Sequence, residues 1–137
     1  GAFLLGEKAA ANSLVPGDHG TTYGGNPFAC AAAAKVLEIF EEQDIVGHVR
    51  EVAPYLEQKL DELIEKYDCL LARRGMGLMQ GVVIGNGKKV GEVVNAALAQ
   101  GLIVISAGSD VLRLVPPLII EKKHVDEMAE KLAAALN

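Results

Sequence analysis

Apolar side chains fall at residues 45, 49, 52, 56, 60, 63 and 67. Steps of three and four put them on one stripe of a long amphipathic helix, and the charged residues between them form its solvated remainder. Asp44 is placed to cap this helix. Pro54 predicts a kink or a division in two, because proline removes an amide donor and crowds the preceding turn. Upstream, "NPFACAAAAKVLEIFEE" predicts another helix, with Asn26 as N-cap and Pro27 in the first turn, where its missing N–H is not needed. The alanine face of that helix implies close packing against a neighbour.

After residue 68 the pattern changes. "CLLARRGMGLMQGVVIG" predicts two short strands forming a hairpin around Gly75-Met76-Gly77. "KKVGEVVNAALAQG" predicts a helix stopped by Gly101. "LIVIS" and "VLRLV" read as strands separated by the turn "AGSD", the second ended by Pro116-Pro117, and "EKKHVDEMAEKLAAAL" as a final amphipathic helix. From residue 27 the order is α-α-β-β-α-β-β-α. That order predicts an α+β fold: a small, largely antiparallel sheet with helices packed on one face. Residues 2–5 predict one further strand near the start.

Composition narrows the function classes. The 137 residues are 50% hydrophobic and 23% charged, which suits a packed globular domain. A net charge of −5, scarce aromatics and no Trp argue against nucleic-acid or anionic-membrane partners. No apolar run reaches the ~18 residues of a membrane helix, so a cytoplasmic protein is expected. Cys30 and Cys69 have no CxxC or histidine-spaced partner, which argues against a structural zinc site. They read as small, partly buried thiols, with a disulfide between them left open. The opening "GAFLLGEKAA" has no initiator Met and reads as a strand running into a helical turn. A piece of a larger protein is expected.

Two places invite chemistry. The loop "HGTTYGGNP" sets the hydroxyls of Thr21 and Thr22 and glycine-exposed amides before a helix N-terminus, a favourable place for a phosphate or carboxylate. The same residues also suit an ordinary turn. Arg113 interrupts the apolar run "VLRLVPPLII". Strand alternation groups it with Val111 and Val115, opposite Leu112 and Leu114, so it points away from a leucine-lined core. There its planar guanidinium suits a carboxylate ligand, an exposed position or a structural ion pair. His19 reads as a turn or capping residue beside the loop, and His48 and His124 as surface residues. Arg73 and Arg74 flank the hairpin turn as solvent-facing or ion-pairing groups. No catalytic triad, paired-carboxylate site or metal cluster emerges.

Three segments together resemble a family. "PGDHGTTYGGNPFACAAAAKVLEI", "ARRGMGLMQGVVI" and "LRLVPPLII" are similar, in order, to the cofactor loop, the R-G-x-G-L-M-x-G hairpin and the arginine-bearing strand of class III pyridoxal-phosphate-dependent aminotransferases. The resemblance implies the C-terminal domain of a fold-type I enzyme, with residues 1–26 the end of its large domain and 27–137 its small domain. It also implies a homodimer in which Thr22 contacts the phosphate of pyridoxal phosphate (PLP) held mainly by the other subunit. Thr21 would line the substrate pocket, and Arg113 would grip a carboxylate of the amino donor or of the 2-oxoglutarate acceptor. Within the class, the loop looks most like the branch acting on N-acetylornithine in arginine biosynthesis, with the ornithine branch next. The cofactor-bearing lysine of the family would fall about ten residues before Gly1, so this stretch by itself is expected to be inactive and not to retain PLP. A non-catalytic ligand-binding or dimerisation module is the reading from another class.

Overall fold

The structure, a computed structural model, describes residues 15, 17–18 and 20–137. The strand expected at residues 2–5 and His19 lie outside them. The chain divides into two compact units, Gly1–Asp44 and Ile45–Asn137.

The first unit contains helix α1 (Pro27–Glu42). It starts where the sequence requires: the Ala29 amide donates to Asn26 Oδ1 at 2.9 Å, and Pro27 occupies the first turn. The side-chain amide of Asn26 also donates to the Tyr23 carbonyl at 2.8 Å, tying the cap to the loop before it. The close packing expected of the alanine face is not made among the described residues. No residue of α1 is buried, and Phe28, Val36 and Leu37 are exposed. Asp44, at φ 44°, takes a left-handed conformation at the end of the unit.

In the second unit the element order is α2 (Ile45–Lys66), β1 (Leu70–Met76), β2 (Met79–Ile84), α3 (Val90–Ala99), β3 (Ile105–Ala107), β4 (Val111–Leu114) and α4 (Lys122–Leu136). The strands form one four-stranded sheet in the order β1-β2-β4-β3. Every neighbouring pair is antiparallel. The fold class read from the sequence is therefore the one observed.

The predicted stripe of α2 is its buried face: Ile45, Val52, Leu56, Leu60 and Leu63 are buried, and Val49 and Tyr67 pack at its margin. Each fully buried aliphatic side chain contributes about 1.5–3 kcal/mol. The stripe packs with Val82 and Leu112 of the sheet, with Val93 and Ala97 of α3 and with Val125 and Leu132 of α4. Of the two outcomes expected at Pro54, a kink or a division, division does not occur: the helix runs through it for 22 residues. Pro54 and Arg50 are both exposed, so the carbonyl that loses its amide partner lies on the wet side of the helix.

The hairpin turn falls at Gly77-Leu78, with Met76 opposite Met79. Gly77 (φ 58°) provides the left-handed turn position. Helix α3 ends as predicted: Gly101 sits at φ 73°, its amide donates to Leu98 O at 2.9 Å, and the Leu102 amide reaches back to Ala97 O at 2.9 Å. The "LIVIS" strand is shorter than expected and begins only at Ile105. Residues 102–104 are spent leaving the helix stop, with Val104 turned into the core and Ile103 exposed. Cys30 is exposed and Cys69 half-buried, and both are free thiols; the partly buried reading holds for Cys69 only. Among the described residues no helix is long and apolar enough to cross a membrane.

Candidate functional site

In the loop of the first unit, the amides of Tyr23 and Gly24 donate to Thr21 Oγ1 at 3.1 and 2.9 Å. A hydroxyl that accepts from the amides two and three residues ahead holds a turn closed. Thr21 therefore has a local structural task, while its own O–H proton stays available for donation. Thr22 is exposed, and its hydroxyl has no hydrogen-bond partner among the described residues. A free hydroxyl donor beside bare backbone, at the approach to a helix N-terminus, is suited to a phosphate oxygen.

In the second unit the helices cover one face of the sheet and leave the other open. Leu112 and Leu114 face the helices and are buried, while Arg113 between them is exposed. Val111 departs from simple alternation: it lies on the open face yet is only 3% exposed. Its Cγ1 sits 3.0 Å from where a Cβ on Gly81 would stand, so it fills the space the glycine leaves.

Register places Arg74, Gly81, Arg113 and Ile105 in one row across all four strands. Directly opposed residues of antiparallel strands share a face, so Arg74 and Arg113 both rise from the open face with Gly81 between them. They line one concavity with Met76, Met79 and Ala107. Neither guanidinium has an acidic partner among the described residues, and no strand position on that face carries a carboxylate.

Arg73 has the opposite fate. One residue from Arg74, it points to the helix face and donates from Nε to Asp61 Oδ1 at 2.9 Å and from Nη2 to Asp61 Oδ2 at 3.1 Å. Glu57 Oε1 lies 3.6 Å from Nη1. The hydrogen bond from Arg73 holds the Asp61 carboxyl below the usual carboxylate range and raises the guanidinium's own pKa. Gln80, only 1% exposed, completes the cluster. Its Oε1 accepts from Arg73 Nη1 at 3.3 Å, and its Nε2 donates to Gly77 O at 2.8 Å and Glu57 Oε1 at 3.2 Å. This cluster locks the hairpin to α2 and so fixes the strand that carries Arg74. The sequence reading singled out none of Gln80, Glu57 and Asp61. The signal was present in the alternation of Arg73 and Arg74, which sends adjacent arginines to opposite faces.

The histidines do not join either place. His48, expected at the surface, is half-buried, with Nε2 2.7 Å from the Ile120 carbonyl. His124 Nδ1 accepts from the Glu121 amide at 2.9 Å, a capping task at the start of α4. A separate cleft of about 370 Å³, lined by Leu56, Val104, Pro116, Pro117 and Met128 together with His124, is otherwise apolar.

The two features, a phosphate-ready hydroxyl and a free strand arginine, occur on one chain whose whole length matches one family. The family description "Aminotransferase class-III" matches residues 1–136. The chain belongs to the class-III aminotransferases. It is 45% identical over 121 residues to the acetylornithine aminotransferase of Gloeobacter violaceus, covering 88% of this chain and 30% of that protein. Among solved structures it is similar to the acetylornithine aminotransferase of Elizabethkingia anophelis, with TM-score 0.80 and 25% identity over 92% of this chain and 32% of that one. An amine transaminase from an uncultivated Pseudomonas species, solved in its PLP-bound form, gives TM-score 0.79 and 30% identity over 87% of this chain and 29% of that one. This class-III chain thus spans about 30% of the length of the curated relative, and its fold is that of the corresponding part of the fold-type I PLP transaminases.

Proposed function

We propose that this class-III chain forms the C-terminal part of a PLP-dependent aminotransferase that moves the δ-amino group of N-acetylornithine to 2-oxoglutarate. The proposed setting is cytoplasmic arginine biosynthesis. Residues 1–26 are assigned to the large domain and 27–137 to the small one. The observation that carries the reading is Arg113, an exposed guanidinium without an acidic partner among the described residues, raised from the open sheet face beside a glycine.

PLP, when bound, supplies the electron sink for amino-group transfer. Thr22 donates its hydroxyl to the cofactor phosphate. Thr21 keeps the loop in the turn that presents Thr22, and lines the substrate pocket. Arg113 binds a substrate carboxylate through two parallel N–H donors and so sets which end of an amino acid faces the chemistry. A homodimer is the proposed assembly, supported by the exposed apolar side chains of α1. The 137 residues alone are not expected to transaminate.

The test is Arg113→Ala in the full-length enzyme. Loss of a charge-assisted two-pronged contact is worth roughly 2–5 kcal/mol. The KM for N-acetylornithine or for 2-oxoglutarate then rises by well over tenfold, since each 1.4 kcal/mol is about tenfold. An unchanged KM for both removes the assigned role. Running the assay on ornithine and succinylornithine alongside N-acetylornithine decides the amino donor; faster turnover of ornithine would replace the proposed one.

A further inference from the structure

We propose that Asn86, in the turn between β2 and α3, is a modification site: the Gly87 amide attacks its side-chain amide, ammonia leaves, and water then yields aspartate or isoaspartate. The site goes beyond the aminotransferase reading and does not rest on it. Residues 85–88 form a tight turn, closed by the Lys88 amide donating to Gly85 O at 3.1 Å. Both central residues take left-handed conformations, Asn86 at φ 51° and Gly87 at φ 88°. Asn-Gly is the pair that such a turn selects.

Three observations single out this asparagine. Asn86 and Gly87 are both exposed, and nothing lies within 4 Å of where a Cβ on Gly87 would stand, so water reaches the pair. The Gly87 amide makes no hydrogen bond among the described residues, which leaves its nitrogen uncommitted. Asn26 and Asn95, the other described asparagines with a following residue, lack such a nucleophile. Asn26 precedes Pro27, which has no N–H, and Asn95 lies inside α3, where the next amide is spent on the helix ladder.

In the first step the Gly87 nitrogen gives its proton to solvent and bonds to Asn86 Cγ. The Cγ–Nδ2 bond breaks, Nδ2 departs as ammonia, and a succinimide ring remains. In the second step one water adds. Opening at the side-chain carbonyl yields aspartate; opening at the main-chain carbonyl yields isoaspartate, with the chain rerouted through Cγ. The sum is amide plus water to acid plus ammonia, with nothing oxidised or reduced. The fold registers the change, because Asn86 Nδ2 donates to Asp68 O at 2.7 Å. Beside it the Gly85 amide donates to Cys69 O at 2.9 Å, and Lys88 Nζ donates to Leu136 O at 2.6 Å. The turn thus clasps the connection before β1 and the end of α4. Either product puts a carboxylate, which has no proton to donate, where the donor to Asp68 O had been. Isoaspartate also lengthens the backbone inside the turn and breaks the Gly85–Lys88 closure.

The experiment holds the full-length enzyme, its Gly87→Ala and Asn86→Gln variants, and a free peptide of residues 82–92 at mildly alkaline pH. Peptide mapping follows the exchange of amide for acid, and enzymatic carboxyl methylation detects isoaspartate. In the wild type the segment carrying Asn86 is expected to convert, while those carrying Asn26 and Asn95 keep their amides. Gly87→Ala slows the conversion, because the added methyl crowds the attacking nitrogen, and Asn86→Gln loses it. The converted enzyme unfolds at a lower urea concentration than the fresh enzyme, and Asn86→Asp reproduces only part of that shift. The proposal is overturned if Asn86 keeps its amide over the time in which the free peptide converts. Conversion of Asn26 or Asn95 at the same rate, or of Gly87→Ala at the wild-type rate, overturns it equally.

Discussion

Replacing Gly75 with alanine is expected to destabilise the hairpin severely, for reasons visible atom by atom. Gly75 sits at φ 150°, and a Cβ built on it would lie 2.2 Å from Met79 O and 2.9 Å from both Gln80 Cα and Gln80 Oε1. Ordinary C···O contacts begin at about 3.3 Å, so the overlap with Met79 O is roughly 1 Å and falls on backbone that cannot rotate away. β1 and β2 would have to part where Gly75 faces Gln80, breaking the register that seats the Gln80 amide. Overpacking of this kind costs about 1–3 kcal/mol, and the glycine-only backbone conformation adds about 1–3 kcal/mol. The sum is roughly 2–6 kcal/mol, which for a unit of this size lowers Tm by about 8–48 °C at 4–8 °C per kcal/mol. Urea and thermal unfolding of the 137-residue chain measure it, with Gly87→Ala as the control. Gly87 also has positive φ, 88°, but nothing lies within 4 Å of its added Cβ. That control should lose only about 1–2 kcal/mol, the cost of a left-handed backbone. If Gly75→Ala is no worse than Gly87→Ala, close approach in the hairpin is not what requires glycine there.

Gln80→Leu keeps the volume but leaves the Gly77 carbonyl and one Arg73 donor without their partner; a loss of about 1–3 kcal/mol is expected in urea unfolding, the cost of an unsatisfied buried polar group. A wild-type midpoint would show that the cluster is not what locks the hairpin to α2. Asp61 has a carboxyl pKa lowered in the folded state by Arg73, so its contribution is fully present above the unfolded value of about 3.9 and fades as pH falls through the folded one. Asp61→Asn should therefore be less stable than wild type at neutral pH, by up to about 1 kcal/mol for a half-exposed pair, and converge with it as pH falls below the lowered folded-state value. A difference that persists unchanged to the acid limit would refute the ion-pair account.

The helices of this protein were legible from local rules because each carries its own instructions. The i, i+3, i+4 stripe of α2 marked the face that is buried, Asn26-Pro27 marked where α1 begins, and Gly101 marked where α3 stops. The hairpin could be read too, although its turn lies at Gly77-Leu78 rather than around Met76. Strand alternation placed Arg113 off the leucine face, where it is found. Pro54 leaves the helix undivided because the effect of a proline depends on whether the orphaned carbonyl meets water, which the helix's orientation decides. "LIVIS" was misjudged because a strand exists only where a partner strand lies alongside, and residues 102–104 are still leaving the helix.

What only the tertiary structure decided is which residues meet across the sheet. The order β1-β2-β4-β3 brings residues 74, 81 and 113 into one row although β1 and β4 are far apart in sequence. It also assigns one of two adjacent arginines to a carboxylate on α2 and leaves the other on the open face. Local periodicity sets the direction in which a side chain points from its own strand. Its neighbours come from strand order and register, non-local properties set by how the whole unit closes over its core.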